Sequence, residues 1–161
     1  MTEKEKMLAG KVYDATAPEL IAELKTTREI LYEYNSLRPS ETKRMKVILK
    51  DLLGHVADDE FIINQPFRCD YGKQISIGKR FFANFNFTVL DEASVTIGDD
   101  CFIGPNVSIY TACHSTDPVE RNSRNRSRIL WLGISWNFHS YKPVGGTKKQ
   151  EEDRSVIKLG E

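Results

Sequence analysis

The chain has 161 residues, the size of one ordinary domain, and its 23 Lys and Arg residues balance its 23 Asp and Glu residues. That balance argues against a polybasic nucleic-acid binder, and no apolar run approaches the roughly 18 residues that a membrane span needs. The N-terminus lacks the apolar stretch of a secretory signal, and three cysteines without CxxC spacing favour neither a disulfide framework nor a zinc site, so we expect a cytoplasmic protein.

The first part of the chain, residues 1–57, is predicted to be a helical segment built on a pair of amphipathic helices. Pro18 suits the first turn of one helix, and apolar residues follow it at spacings of three to four: Leu20, Ile21, Leu24, Ile30, Leu31 and Tyr34. Ser40 is expected to cap a second helix that stops at Gly54. The stripe of that helix follows the spacing i, i+3, i+4, i+7, i+8: Met45, Ile48, Leu49, Leu52 and Leu53.

Residues 58–123 carry a repeat of six residues with two apolar positions in each unit. The first register runs through Ile77, Ala83, Val89, Ile97, Ile103 and Ile109. The second lies two residues ahead of it: Ile75, Phe81, Phe87, Val95, Cys101 and Val107. Two further residues interrupt the period after Val89. This pattern predicts a left-handed parallel β-helix, and the alternative is an antiparallel β-meander with accidental spacing.

The period has a physical reason. Each six residues form one flat side of a triangular coil, with the aliphatic residue pointing into a narrow interior. Glycine follows the aliphatic residue in three of the units, and we expect it to relieve backbone strain at a corner. One coil buries little surface alone, so coils must stack and the ends of the stack need caps.

The last part of the chain, residues 124–161, does not continue the repeat and is predicted to be an irregular or disordered basic tail. Residues 1–120 hold 14 Lys and Arg against 19 Asp and Glu, whereas residues 121–161 hold 9 against 4. The tail has one apolar patch, Ile129–Trp136. Its arginines lack a surrounding nucleic-acid-binding motif, so we expect no nucleic-acid partner.

Six short motifs, in chain order, resemble the maltose and galactoside O-acetyltransferases. They are MLAGKVYDA from Met7, FRCDYG from Phe67, FANFN from Phe82, IGD from Ile97, IGPNV from Ile103 and YTACH from Tyr110. The resemblance covers about residues 5–123. It implies a hexapeptide-repeat transferase that uses acetyl-CoA without a metal, acts on a small sugar and forms a homotrimer whose active sites lie between neighbouring β-helices.

The resemblance assigns the catalytic base to His114, at the end of the YTACH motif. The base would take a proton from a sugar hydroxyl, which then attacks the thioester directly. An imidazole with its ordinary pKa of about 6.5 is a workable base near neutrality. Without the motif, a lone histidine among strands is more often structural. Cys113 is expected to pack as a small apolar residue rather than act as a nucleophile.

Four further residues are assigned to the sugar acceptor by the resemblance. Asn84 would orient the acceptor or stabilise oxyanion charge, and its alternative is a corner residue in the left-handed conformation. Asp14, Asp70 and Glu92 match sugar-contacting positions. Their alternatives are an Asp that leads a helix, a turn Asp and a solvated loop Glu. Phe82 stands where the family often has tyrosine.

The resemblance ends before the part of the family fold that binds the donor. Family members continue after the histidine with further coils that hold the pantetheine and nucleotide, and residues 124–161 do not match them, so no residue is assigned to the donor. Two functions follow. One is an acetyl-CoA-dependent O-acetyltransferase for a sugar of the maltose, glucose or galactoside type. The alternative is an inactive, truncated or frame-shifted derivative that lacks the CoA-binding coils.

Overall fold

The computed structural model describes residues 1–114 and 126–127. The helices in this part of the chain are α1 (Glu3–Leu8), α2 (Pro18–Ser36) and α3 (Thr42–Leu52). The strands are short: β1 (Tyr13–Asp14), β2 (His55–Val56), β3 (Ile62–Ile63), β4 (Phe67–Cys69), β5 (Ile75–Ile77), β6 (Phe82–Ala83), β7 (Phe87–Leu90), β8 (Val95–Ile97), β9 (Phe102–Ile103), β10 (Ser108–Tyr110) and β11 (Arg126–Ser127).

Strands β2 to β10 form three stacked coils of a β-helix. Sheet I contains β2, β5 and β8; sheet II contains β3, β6 and β9; sheet III contains β4, β7 and β10. All pairings in these sheets are parallel, and from β5 onward each residue pairs with one 20 positions later, as Ile75 does with Val95. The predicted left-handed parallel β-helix is therefore confirmed, and the antiparallel alternative is wrong.

Both apolar registers of the repeat face the interior, as predicted. The buried members are Ile75, Ile77, Phe81, Ala83, Phe87, Val89 and Val95. The others are half-buried and belong to the third coil, β8–β10: Ile97, Cys101, Ile103, Val107 and Ile109. The third coil is less buried because, among the described residues, no further coil lies over it.

The glycines of the repeat have a different role from the one predicted. The residues with left-handed backbone are not glycines that follow an aliphatic residue but Arg80, Asn86, Asp100 and Asn106, with φ of 53°, 61°, 56° and 60°. A Cβ at Gly78 would lie 2.5 Å from the backbone nitrogen of Asp99 and 2.5 Å from the carbonyl carbon of Gly98. Glycine is therefore needed there because two coils approach closely, not because a corner is strained.

The helical segment departs from the prediction in three details. A short helix, α1, precedes the predicted pair, and a capping box between Thr2 and Glu5 begins it. Ser40 does not cap α3, because the N-cap position is Glu41 and no side chain caps it. Ile21 is 48% exposed, since it lies about 100° around α2 from the buried Leu20. The predicted stripe of α3 does pack against the β-helix core.

Helix α2 covers the open edge of the first coil, β2–β4. The Asn35 amide donates to the carbonyl of Phe67 over 2.9 Å, and its oxygen accepts from the N–H of the same residue, also over 2.9 Å. The Tyr34 hydroxyl donates to the carbonyl of Ile63. An uncovered strand edge exposes unpaired backbone groups, so these side chains cap the β-helix.

Near the N-terminus, β1 pairs antiparallel with β11, which places Tyr13 opposite Ser127. Other residues of the predicted tail, including the Ile129–Trp136 patch, lie outside the described residues, and the divisions predicted after residues 57 and 123 stay predictions. No helix in the described ranges is long and apolar enough to cross a membrane.

Candidate active site

Acidic side chains collect at the corner where the chain passes from sheet III to sheet I. We call this the acidic corner and define it by Asp70, Asp91, Glu92 and Thr111. Asp70 follows β4 in the first coil, Asp91 and Glu92 follow β7 in the second, and Thr111 follows β10 in the third. The two residues that interrupt the period of six fall at this corner, and they lengthen it enough to hold these side chains.

Asp70 and Glu92 lie at the ends of strands in two successive coils, and their carboxyl groups interact. Burial raises the pKa of Glu92 well above its usual 4.5, and the neighbouring Asp70 raises it further. The corner thus makes Glu92 harder to ionise than an exposed glutamate.

Asp91 lies beneath this pair and is fully buried. Its Oδ1 accepts from the backbone N–H of Asp70 over 3.0 Å and from that of Tyr71 over 2.9 Å. Burial raises the pKa of Asp91 to about 6, against the lowering effect of these bonds. The sequence interpretation missed this residue, although a signal existed. Alternate positions from β7 onward are all buried: Phe87, Val89, Asp91, Ala93 and Val95.

Thr111 ties the third coil to the corner. Its hydroxyl accepts from the N–H of Ala93 over 2.9 Å, donates to the carbonyl of Leu90 over 2.8 Å, and lies 3.5 Å from Oε2 of Glu92. His114 follows only three residues later, so its Cα lies within about 11 Å of that of Thr111. The His114 side chain is exposed. The chain therefore keeps the predicted base near the acidic corner, and its role stays a prediction.

Asp14 lies beside the corner on β1 and is exposed. Its carboxylate accepts from the Thr16 hydroxyl over 2.6 Å and from the Thr16 N–H over 2.9 Å, and these bonds lower its pKa. The preceding residue, Tyr13, is buried in a small core with Tyr71 and Ala93, which directly follow Asp70 and Glu92 in the chain. The N-terminal segment is thus held against the same corner.

Asn84 lies elsewhere in the same chain. It follows β6 at the corner between sheets II and III, and its Oδ1 accepts from the N–H of Phe85 over 2.8 Å. The left-handed residue of that corner is Asn86, not Asn84. Strand β7 separates Asn84 from Glu92, and its four residues span roughly 13 Å. One chain therefore does not bring Asn84 together with the acidic corner.

An apolar stripe runs along the outer face of sheet II, next to Asn84. Ile62 pairs in register with Phe82, and Phe82 with Phe102. The rings of Phe82 and Phe102 have centroids 5.9 Å apart. Ile62 is 53% exposed, Phe102 is 69% exposed, and the nearby Phe85 is 55% exposed. We call these four residues the apolar stripe.

The cysteines and possible metal ligands complete the description. Cys113 is exposed, so the expectation that it packs as a small apolar residue is wrong. Burial raises the pKa of the Cys69 thiol and therefore disfavours its thiolate. Among the residues with described positions, no group of three His, Cys, Asp or Glu side chains is arranged to hold a metal ion.

Comparisons with known proteins agree with this architecture. Residues 6–57 match the model of the maltose acetyltransferase hexapeptide capping motif. The chain is 46% identical to nodulation protein L of Rhizobium meliloti (strain 1021) over 145 residues, which are 90% of this chain and 76% of that protein. It is 31% identical to galactoside O-acetyltransferase of Escherichia coli (strain K12) over 166 residues, which cover 97% of this chain and 76% of that protein. The chain belongs to the maltose and galactoside O-acetyltransferase family.

The family assignment confirms the resemblance that the motifs indicated, and a solved structure supports it independently. A galactoside acetyltransferase in complex with coenzyme A superposes with a TM-score of 0.75 at 29% identity, over 81% of this chain and 64% of that one. The helical segment that caps the first coil coincides with the matched motif. Because the chain belongs to this acetyltransferase family, the acidic corner is a candidate for the place where an acetyltransferase binds its acceptor.

Proposed function

We propose that the protein transfers an acetyl group from acetyl-CoA to a hydroxyl of a small sugar of the maltose, glucose or galactoside type, with His114 as general base. The observation that carries this proposal is the interacting carboxyl groups of Asp70 and Glu92 at a corner whose Thr111 precedes His114 by three residues. Family membership supports the acetyl transfer. The complex of a relative with coenzyme A supports the donor.

The acidic corner suits a sugar because neighbouring hydroxyls both donate and accept hydrogen bonds. Both carboxyl groups offer acceptor oxygens, and the raised pKa of Glu92 favours its protonated form, which also has a donor. Together they match two adjacent hydroxyls. Asp14 would contribute a further acceptor from β1, where its low pKa keeps it ionised.

The proposed reaction proceeds without an acyl-enzyme. The His114 imidazole takes the proton of the acceptor hydroxyl while the hydroxyl oxygen attacks the thioester carbonyl. The Asn84 amide stabilises the negative charge on the tetrahedral adduct. The C–S bond then breaks, the acetyl ester is released, and the leaving thiolate receives the proton that His114 holds.

The position of Asn84 supports a homotrimer as the active form. Asn84 and the acidic corner lie at opposite ends of β7 in one chain, so Asn84 reaches His114 only from a neighbouring chain. The apolar stripe beside Asn84 supports the same arrangement, since a contiguous exposed apolar surface commonly marks an interface. We place this stripe of one chain against the neighbour's acidic corner.

One observation favours the alternative, an inactive derivative that lacks the donor half of the site. Among the described residues, the interior of the third coil is half-buried and the Cβ position of Gly98 meets no atom within 4 Å. An incomplete stack would hold the acceptor and not the donor. No described residue is assigned to the donor, because the coils expected to bind it would follow His114.

Thiol release from acetyl-CoA in the presence of a panel of sugars tests the function. We expect turnover by the wild-type protein and a loss of at least about a hundredfold in His114→Ala, the usual scale of general-base catalysis. His55→Ala is the matched control, since His55 is also exposed but lies in β2 of the first coil. Absence of both turnover and acetyl-CoA binding in the wild type would favour the inactive derivative.

A mixing experiment tests the shared site. His114→Ala and Asn84→Ala proteins, each weak alone, are unfolded together and refolded. If each site takes His114 and Asn84 from different chains, random assembly restores about a quarter of the sites. Unchanged activity in the mixture would show that both residues act within one chain.

A further inference from the structure

Asp91 is a costly residue for its position. It is fully buried, its Oδ1 accepts two backbone N–H groups, and its Oδ2 is buried without a hydrogen-bond partner among the described atoms. A buried carboxylate loses much of its hydration, and the two backbone N–H groups that it binds are what offset this cost. The role of Asp91 therefore follows from the partners of those two bonds.

The partners of Asp91 indicate what it does. The N–H groups that it binds belong to Asp70 and Tyr71, which directly follow β4 in the first coil. Asp91 also precedes Glu92 directly in the chain. One short segment of the second coil thus carries Glu92 and fixes the backbone from which the Asp70 carboxyl group reaches it.

We infer that Asp91 is a positioning residue, which holds the Asp70 backbone so that the Asp70 and Glu92 carboxyl groups form the acceptor-binding pair. The catalytic part of this inference rests on the proposed function. The structural part, that Asp91 positions the carboxyl groups of Asp70 and Glu92, does not depend on that function. Asp91 itself is buried and would touch neither the sugar nor the thioester.

A second aspartate provides a natural comparison. Asp99 also binds the preceding coil from a corner, since its Oδ1 accepts from the N–H of Lys79 over 2.8 Å. That corner lies between sheets I and II and is exposed. Hydrogen bonds from an aspartate to the backbone of the preceding coil are therefore a general part of coil stacking. Asp91 differs from Asp99 because its bonds lie at the acidic corner.

The charge of Asp91 has a separate effect on the pair. The groups that face Glu92 are Asp70, Asp91, the Tyr71 hydroxyl and Thr111. The negative charge of Asp91 helps to raise the pKa of Glu92, after burial and Asp70. A test must therefore separate the loss of the Asp91 charge from the loss of its hydrogen bonds.

Three variants make this separation in a steady-state assay. Asp91→Asn keeps an acceptor for both N–H groups and removes the charge, and we expect its KM for the sugar to stay within about threefold of wild type. Asp91→Ala removes the bonds, and we expect that KM to rise about tenfold or more while the KM for acetyl-CoA is unchanged. Asp99→Ala should lower the melting temperature and leave both KM values unchanged. If Asp91→Ala fails to fold, Asp91→Ser replaces it.

Carbon-13 NMR titration of the Glu92 carboxyl group gives a readout that does not need turnover. We expect the pKa of Glu92 to fall in Asp91→Asn and to fall further in Asp91→Ala, because only the second variant releases Asp70. Equal values in the two variants, together with an unchanged sugar KM in Asp91→Ala, would overturn the inference. A wild-type protein without turnover would refute the proposed function, while this titration would still decide the role of Asp91.

Discussion

The carboxyl groups of Asp70 and Glu92 interact although these residues belong to successive coils of the β-helix. They meet because the register between coils stacks the end of β4 under the end of β7. The contact joins two acids in a protein that has an equal number of acidic and basic residues. Local burial, followed by this contact, is what raises the pKa of Glu92.

The raised pKa values of Glu92 and Asp91 make the stability of the fold depend on pH in a defined direction. Burial and Asp70 raise the pKa of Glu92 above its usual 4.5, and burial raises that of Asp91 to about 6. A carboxyl group whose pKa is higher in the folded state binds a proton more tightly there, so its contribution is complete below the unfolded value and is lost as the pH rises through the folded value. We expect the free energy of unfolding to fall as the pH rises from 4.5 toward neutrality.

Urea denaturation across this pH range checks the prediction, with Glu92→Gln as the informative variant. The amide cannot ionise, so the decline with pH should be shallower in Glu92→Gln than in wild type. Glu60→Gln, at an exposed position, is the control and should keep the wild-type slope. A slope in Glu92→Gln equal to that of wild type would show that Glu92 does not titrate differently in the folded state.

Removal of the Asn35 side chain should loosen the cap on the first coil. The amide makes two hydrogen bonds with the backbone of Phe67, and Asn35→Ala would leave both groups of that residue unpaired. We expect a loss of about 1 to 3 kcal/mol in the free energy of unfolding, measured with denaturant. Ser36→Ala, at the neighbouring exposed position, should change it by less than about 0.5 kcal/mol. Equal effects of the two substitutions would argue against the cap.

Alanine at two equivalent glycines should have unequal effects. A Cβ at Gly78 would press into the backbone of the next coil, whereas the same atom at Gly98 meets nothing within 4 Å in residues 1–114 and 126–127. We expect Gly78→Ala to destabilise the protein by about 3 kcal/mol or more and Gly98→Ala by less than about 1 kcal/mol, by thermal or chemical unfolding. A large loss in Gly98→Ala would reveal a further coil packed over the third.

A charge in the apolar stripe should disrupt the proposed trimer. Phe102 is 69% exposed and packs against the ring of Phe82, and a glutamate at its position would place an unpaired charge in the interface. We expect sedimentation velocity to show a shift from trimer toward monomer in Phe102→Glu. Tyr32→Glu is the control, because Tyr32 is 74% exposed on α2, away from the stripe. A Phe102→Glu protein that stays trimeric would place the interface elsewhere.

The buried positions of the β-helix could be predicted from the sequence because they depend only on the six-residue period. Every apolar position assigned to the two registers packs in the core, and the stripe of α3 does as well. The corner residues were harder to predict, because the coil stacked on a corner decides which residue fits there. Gly78 is required by Asp99, 21 positions later, and such a contact cannot be read from a local pattern.

The same reason explains which site residues were identified. His114, Asp14, Asp70, Asn84 and Glu92 came from motifs, and their roles stay predictions. Asp91 matched no assigned motif position, and only its place in the buried alternation distinguished it. Ser40 looked like a cap because serine is a good N-cap residue, yet the turn before α3 uses Glu41, whose carboxylate accepts from the N–H of Arg38 over 2.9 Å.

The constant offset of 20 residues between the second and third coils has a consequence for how such a chain changes in length. A slip of one residue would turn the inward side chains of a strand outward, so a strand tolerates gain or loss of sequence only when its register is kept. We expect that duplication of a whole coil, such as residues 75–94, lengthens the β-helix without disturbing its neighbours. The coil is thus the unit in which this architecture grows or shrinks.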